Sequence, residues 1–105
     1  MATKTFDAVV IGAGPGGYVA AIRLAQLGKR TALVEKEATL GGVCLNWGCI
    51  PSKALIAAAN LVEDVRGAAE RGIIGEARVD LAKLREFKNA VVKKLVGGVS
   101  QLEKG

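Results

Sequence analysis

Residues 6–17 read FDAVVIGAGPGG. The segment 6–11 is a short apolar run rich in β-branched side chains, and it stops at Gly12. Such a run suits a buried parallel strand. Over 15–27 the apolar residues recur at helical spacing, at Val19, Ile22, Leu24 and Leu27. Pro15 falls in the first turn, where its missing N–H costs little, and Gly28 stops the helix. Residues 31–35, TALVE, make a second short strand. Strand, helix, strand is a βαβ unit, with a right-handed crossover expected. The fold class is therefore α/β.

Between the first strand and the helix, Gly12-Ala13-Gly14-Pro15-Gly16-Gly17 satisfies the pattern G-x-G-x-x-G. Gly12 allows the tight turn out of the strand. Gly14 lets backbone approach a pyrophosphate, and Gly17 lets the helix pack on the strand. The helix start adds free N–H groups and a partial positive charge. Glu35 closes the second strand 18 positions past Gly17, near the spacing expected for an acid on a ribose hydroxyl. An ordinary glycine turn leaves that acid unexplained. A carboxylate there disfavours an added 2′-phosphate, so FAD or NAD is expected ahead of NADP.

Further along, 36–42 reads as a connecting loop and 52–71 as an Ala-rich helix ended by Gly72. The stretch 72–77 holds a short strand or a turn. Asp80 is placed to cap a long helix, in which Leu84, Phe87, Val91, Leu95, Val99 and Leu102 form one apolar stripe expected to be buried. Lys83, Arg85, Lys93 and Lys94 lie opposite. Two parallel strands are too few to bury the faces of three helices. An incomplete parallel sheet, a βαβ unit followed by two further helices, is expected, to be completed by more polypeptide.

Both cysteines of the chain fall in residues 41–53, GGVCLNWGCIPSK. Cys44 and Cys49 are five positions apart, which on a regular helix separates their Cα atoms by about 8–9 Å. A disulfide needs about 4.4–6.8 Å. A bonded pair therefore requires the backbone to leave helix geometry. Gly48 permits that, and Pro51 allows a fresh helical start beyond it. Other readings are a metal site and two unrelated buried thiols. Two thiols without His do not fill a tetrahedral zinc site. Lys53, one turn past Cys49, is either a surface lysine or a group stabilising a thiolate or an anionic cofactor.

Composition sets the outer bounds. The 105 residues suffice for one small domain, half of them apolar. Gly, Ala and Val are plentiful and aromatics scarce, as tight strand–helix packing favours. The net charge of +5 is scattered, so it reads as a solvated surface and not as a nucleic-acid footprint. There is no histidine, which excludes a His–Cys dyad or an imidazole proton shuttle from this chain alone. The apolar run 8–27 is broken by glycines and Arg23, unlike a membrane span. A cytoplasmic protein is expected, and there a thiol pair points to redox or metal chemistry.

The glycine loop, Glu35 and GGVCLNWGCIPSK together resemble the FAD-binding start of the pyridine nucleotide–disulfide oxidoreductases. The run CLNWGCIPSK with Ala54 and Leu55 is most similar to the branch that oxidises dihydrolipoyl groups. Glutathione reductase-like members usually carry Val where Ile50 stands; mercuric reductase-like members are closer. The likeness spans essentially all 105 residues but only the N-terminal portion of such an enzyme. It implies a Rossmann-like FAD-binding domain, with the remaining FAD, NAD and dimerisation domains outside this chain. It implies a redox disulfide in which Cys44 exchanges with substrate and Cys49 faces the flavin, with Lys53 beside the ring. Gly12, Gly14, Gly16 and Gly17 would line the pyrophosphate and Glu35 the ribose. Lys36, Gly41, Gly42, Val43 and Cys44 would line the rest of the FAD path. The implied partners are lipoyl domains of 2-oxo acid dehydrogenase complexes and a second subunit, whose His–Glu pair supplies the base. NAD⁺ is the implied acceptor, and the 105 residues alone are expected to be inactive. Mercuric ion or another disulfide as substrate, and a non-catalytic nucleotide-binding module, are the alternatives.

Overall fold

A computed structural model describes residues 3–104. Strand β1 (Ala8–Ile11) leads through helix α1 (Pro15–Gln26) to strand β2 (Thr31–Val34). Helices α2 (Gly42–Asn46) and α3 (Cys49–Gly67) follow, then a 3-10 turn (Ala68–Arg71) and helix α4 (Leu81–Lys104). The strands pair in parallel, with Ala8 opposite Thr31 and Ile11 opposite Val34. The expected α/β fold with its βαβ unit is present.

Both strands are shorter than the apolar runs that signal them. The N–H groups of Asp7 and Ala8 converge on the carbonyl of Arg30, at 2.8 and 3.3 Å. The Asp7 carboxylate accepts the Arg30 N–H at 2.8 Å. Regular alternation therefore starts only at Ala8. Nor is β1 buried on both faces, as its composition predicts. Ala8 and Val10 are half-buried, whereas Val9 and Ile11 are exposed, Ile11 by 84%. Helices cover one face of the two-stranded sheet, and no described element covers the other.

The thiol-bearing region differs most from expectation. Residues 36–42 are not simply loop, because α2 begins at Gly42. Helix α3 starts at Cys49, ahead of the expected Ser52. Pro51 is tolerated in this first turn because first-turn N–H groups have no intrahelical acceptor. The Ser52 N–H makes the bond back to Gly48, at 3.0 Å. At the other end the α-helix stops at Gly67, and the 3-10 turn runs to Gly72, a left-handed terminator at φ 81. Residues 73–80 contain no strand.

Asp80 caps α4 as predicted, its carboxylate accepting the Lys83 N–H at 3.1 Å. The α4 stripe is only partly covered. Val99 is buried and Leu84 and Val91 half-buried, but Phe87, Leu95 and Leu102 stay exposed. In α1 the buried residue is Ala21, while Val19 and Leu27 of the predicted stripe are exposed. The core among the described residues is accordingly thin: Ala13, Ala21, Leu45, Ala68 and Val99. The molecule is drawn out to 67 × 27 × 18 Å, with a radius of gyration of 19.7 Å. A compact domain of this length has about 13 Å.

Candidate functional site

Two short segments meet at the carboxyl end of β1: the glycine loop and the approach to α2. Gly12 turns out of β1 at φ 101, its N–H still donating to the Val34 carbonyl at 2.7 Å. Gly17 is required by a close approach. A Cβ there would overlap the carbonyl oxygen of Gly12, so any side chain would push α1 off the strand. Gly16 faces open space, with no atom within 4 Å of the place a Cβ would take. No side chain caps α1 and no acid occupies its first turn. Its outward N–H groups form a donor set suited to an anion.

Ala13, an unassigned x position of the loop motif, connects the pieces. Its N–H donates to the Glu35 carboxylate at 2.7 Å, and its carbonyl accepts the Gly41 N–H at 2.8 Å. Glu35 thus stands at the end of β2 as predicted, but it also braces the loop. Its other oxygen accepts the Glu37 N–H at 3.0 Å. The Glu37 and Ala13 amides, helped by Lys36, hold its carboxyl below the ordinary value of 4.5.

Gly41 and Gly42 bring α2 onto the loop. Gly42 has φ 64, and a Cβ there would lie 2.7 Å from the Gly14 Cα. Neither the backbone angle nor the space admits a side chain. Val43 is exposed and Cys44 half-buried on α2, immediately beyond this contact.

Cys44 and Cys49 form a disulfide with Cα atoms 4.6 Å apart. The break between α2 and α3 at Trp47 and Gly48 makes this approach feasible, where a continuous helix would hold the thiols too far apart. A Cβ at Gly48 would sit 3.1 Å from the Val43 carbonyl oxygen, so the turn is tight against α2. Cys49 and Lys53 are exposed at the start of α3, and Lys36 is exposed after β2. Trp47 is 62% exposed.

Sequence reasoning assigned nothing to Asn46. Its amide nitrogen donates to the carbonyls of Gly42 at 2.8 Å and Leu40 at 3.2 Å, and its oxygen accepts the Thr39 hydroxyl at 3.0 Å. A carboxamide four positions past a glycine, in a segment otherwise apolar, is the signal that was available.

Among the described residues, no helix is long and apolar enough to cross a membrane. The chain is 60% identical over 100 residues to a dihydrolipoyl dehydrogenase from Bacillus subtilis, covering 94% of this chain and 21% of that protein. It is 58% identical over 102 residues to one from Haloferax volcanii, covering 97% and 21%. The chain thus spans about a fifth of the length of these curated relatives. A solved structure, the Cu(II) complex of the HOCl-induced flavoprotein disulfide reductase RclA from Escherichia coli, superposes with a TM-score of 0.73 at 32% identity. That match covers 93% of this chain and 19% of the other. Residues 6–105 match the pyridine nucleotide-disulphide oxidoreductases, and the chain belongs to that family.

Proposed function

We propose that this chain is the cofactor-binding, thiol-bearing N-terminal part of an FAD-dependent disulfide oxidoreductase. The complete protein would oxidise dihydrolipoyl groups to lipoyl groups, with NAD⁺ as final acceptor. The observation carrying this reading is the seating of the Cys44–Cys49 helix start on the glycine loop, through Gly42 against Gly14 and Gly41 bonded to Ala13. A disulfide held against a dinucleotide loop has a use if electrons pass between the two.

The residues fit FAD. The uncapped start of α1 and the open space at Gly16 suit a pyrophosphate approached closely by backbone. Gly12, Gly14 and Gly17 shape that approach. The Glu35 carboxylate, ionised and with lone pairs beyond its two amide bonds, suits ribose hydroxyls. Lys36, Gly41, Gly42, Val43 and Cys44 would continue the FAD path, and Lys53 would add positive charge beyond Cys49. When bound, FAD supplies the two-electron relay between the thiol pair and NAD⁺.

In the thiol step, one dihydrolipoyl sulfur, as thiolate, attacks Cys44 Sγ. The Cys44–Cys49 bond breaks and Cys49 leaves as a thiolate. The second substrate thiol gives up its proton and attacks the substrate sulfur of the mixed disulfide, expelling Cys44. The substrate loses two electrons and closes its disulfide, and the protein pair gains them. The chain has no histidine, and in this reading the proton acceptor would be a His–Glu pair of a partner subunit. The physiological donors would be lipoyl domains of 2-oxo acid dehydrogenase complexes in the cytoplasm.

The test uses the complete protein loaded with FAD. Dihydrolipoamide should reduce NAD⁺, and Cys44→Ser should abolish turnover while flavin absorbance persists. Turnover surviving in Cys44→Ser would overturn the mechanism. Reduction of mercuric ion or of another disulfide in place of dihydrolipoamide oxidation would move the protein to a different branch.

A further inference from the structure

We propose that Asn46 is a positioning residue that sets the balance between the disulfide and dithiol forms of Cys44 and Cys49. This rests on reading that pair as a redox couple. Asn46 makes its three side-chain hydrogen bonds to one upstream segment, Thr39, Leu40 and Gly42. That segment is itself fixed to the glycine loop, by the Gly41 N–H on the Ala13 carbonyl and by Gly42 against Gly14. Cys44 lies between Gly42 and Asn46, inside the loop that the carboxamide closes.

Helix α2 has five residues, too few to persist by its own backbone bonds. While the disulfide is closed, Cys49 restrains Cys44 covalently. Once it opens, that restraint is gone, and the Asn46 bonds are what keep the Cys44 turn folded on the loop. They hold the dithiol near the geometry from which it closes again. Without them the reduced segment gains conformations that closure must remove. Loss of Asn46 therefore favours the dithiol. Three lost hydrogen bonds, each worth about threefold, correspond to about thirtyfold in the equilibrium constant, or about 45 mV for a two-electron couple.

The effect should appear in the complete, FAD-loaded protein equilibrated with a series of glutathione redox buffers, alkylated and weighed by mass spectrometry. Asn46→Ala should shift the Cys44–Cys49 equilibrium about thirtyfold toward the dithiol. Asn46→Asp, which keeps the oxygen facing Thr39 but loses both donors, should shift it about tenfold in the same direction. Thr39→Val, which removes only the donor to the Asn46 oxygen, should shift it about threefold in the same direction and decides the matter if the Asn46 variants do not fold. Leu84→Ala, a destabilising change half-buried on α4, should leave the equilibrium within about twofold of the parent. Asn46 and Thr39 variants that stay within twofold of the parent overturn the proposal, as does an equal shift in Leu84→Ala. A parent protein whose pair never opens with glutathione overturns the redox reading itself, whatever the Asn46 variants do.

Discussion

The Glu35 carboxylate and the Ala13 N–H meet at 2.7 Å, 22 positions apart in the chain. The end of β2 is thereby tied to the glycine loop, and the tie depends on charge. The Glu37 and Ala13 amides hold the folded carboxyl below its ordinary value. Since the folded value lies below the unfolded one, the stabilisation is complete above the unfolded value. It is lost as pH falls through the lowered folded value. In the complete protein Glu35→Gln should therefore remove part of the acid-side loss of stability, seen as a flatter dependence of Tm on pH below the ordinary carboxylate value. A variant whose acid limb superposes on the parent's would show that the bond contributes nothing to loop stability. In the proposed holoprotein Glu35→Gln should also weaken FAD binding at neutral pH, because the charged acceptor for ribose hydroxyls is lost.

Gly16 and Gly17 are neighbours with opposite tolerances. At Gly17 a Cβ would run into the Gly12 carbonyl, and the obstacle is backbone, which cannot swing aside. Gly17→Ala should cost about 1–3 kcal/mol of stability through forced separation of α1 from β1. Gly16 meets nothing within 4 Å and lies inside α1. Gly16→Ala should be neutral or stabilising by up to about 1 kcal/mol, because alanine loses less backbone freedom in a helix. In the holoprotein Gly16→Ala should still weaken FAD, since the methyl enters the face proposed for the pyrophosphate. Chemical denaturation and flavin titration of both variants in the complete protein check this. Equal destabilisation by the two would contradict the packing argument.

Gly42→Ala should part the thiol helix from the nucleotide loop. The added methyl meets the Gly14 Cα at 2.7 Å, and alanine disfavours φ 64. The left-handed conformation alone costs about 1–2 kcal/mol. The expected result is a stability loss above 2 kcal/mol, from that term and the overpacking together, on the order of the summed contributions. In the holoprotein, electron transfer from the reduced pair to FAD should slow by more than the flavin affinity falls. Stopped-flow flavin reduction beside flavin titration separates the two. If both fell in step, Gly42 would serve cofactor binding only.

The parts of the site legible in the sequence are those where a residue type is forced by local geometry. Gly17 has no room for a side chain, Glu35 follows a recognisable strand, and two thiols beside Gly48 can meet only across a helix break, whereas Gly42 entered only through the family resemblance. Ala13 and Asn46 were not legible in this way. Ala13 acts through its peptide group, which any residue carries, and its burial depends on contacts made 22 and 28 positions later. Asn46 bonds to carbonyls whose placement follows from Gly41 and Gly42, so its role appears only once that turn is built. The α4 stripe is apolar as its spacing indicates, but the burial expected for it is complete only at Val99 and partial at Leu84 and Val91. Periodicity reports which face is hydrophobic, and burial needs a partner surface, which residues 3–104 do not provide for Phe87, Leu95 or Leu102.

Those uncovered faces set the behaviour of the 105 residues on their own. Ile11 is 84% exposed at the open face of the sheet, and Ile74 is 91% exposed. Both strands lack a further neighbour among the described residues, leaving unpaired backbone at each edge of the sheet. Exposed apolar surface next to unpaired strand edges favours association over a folded monomer. The isolated polypeptide should bind a hydrophobic dye, elute ahead of a compact protein of 10.8 kDa, and melt without a sharp transition. Adding the downstream sequence of the family, as a separate polypeptide or in one chain, should suppress the dye signal. A monomeric elution volume with coincident calorimetric and van't Hoff enthalpies would show instead that this thin core is sufficient, and that the exposed stripe of α4 needs no cover.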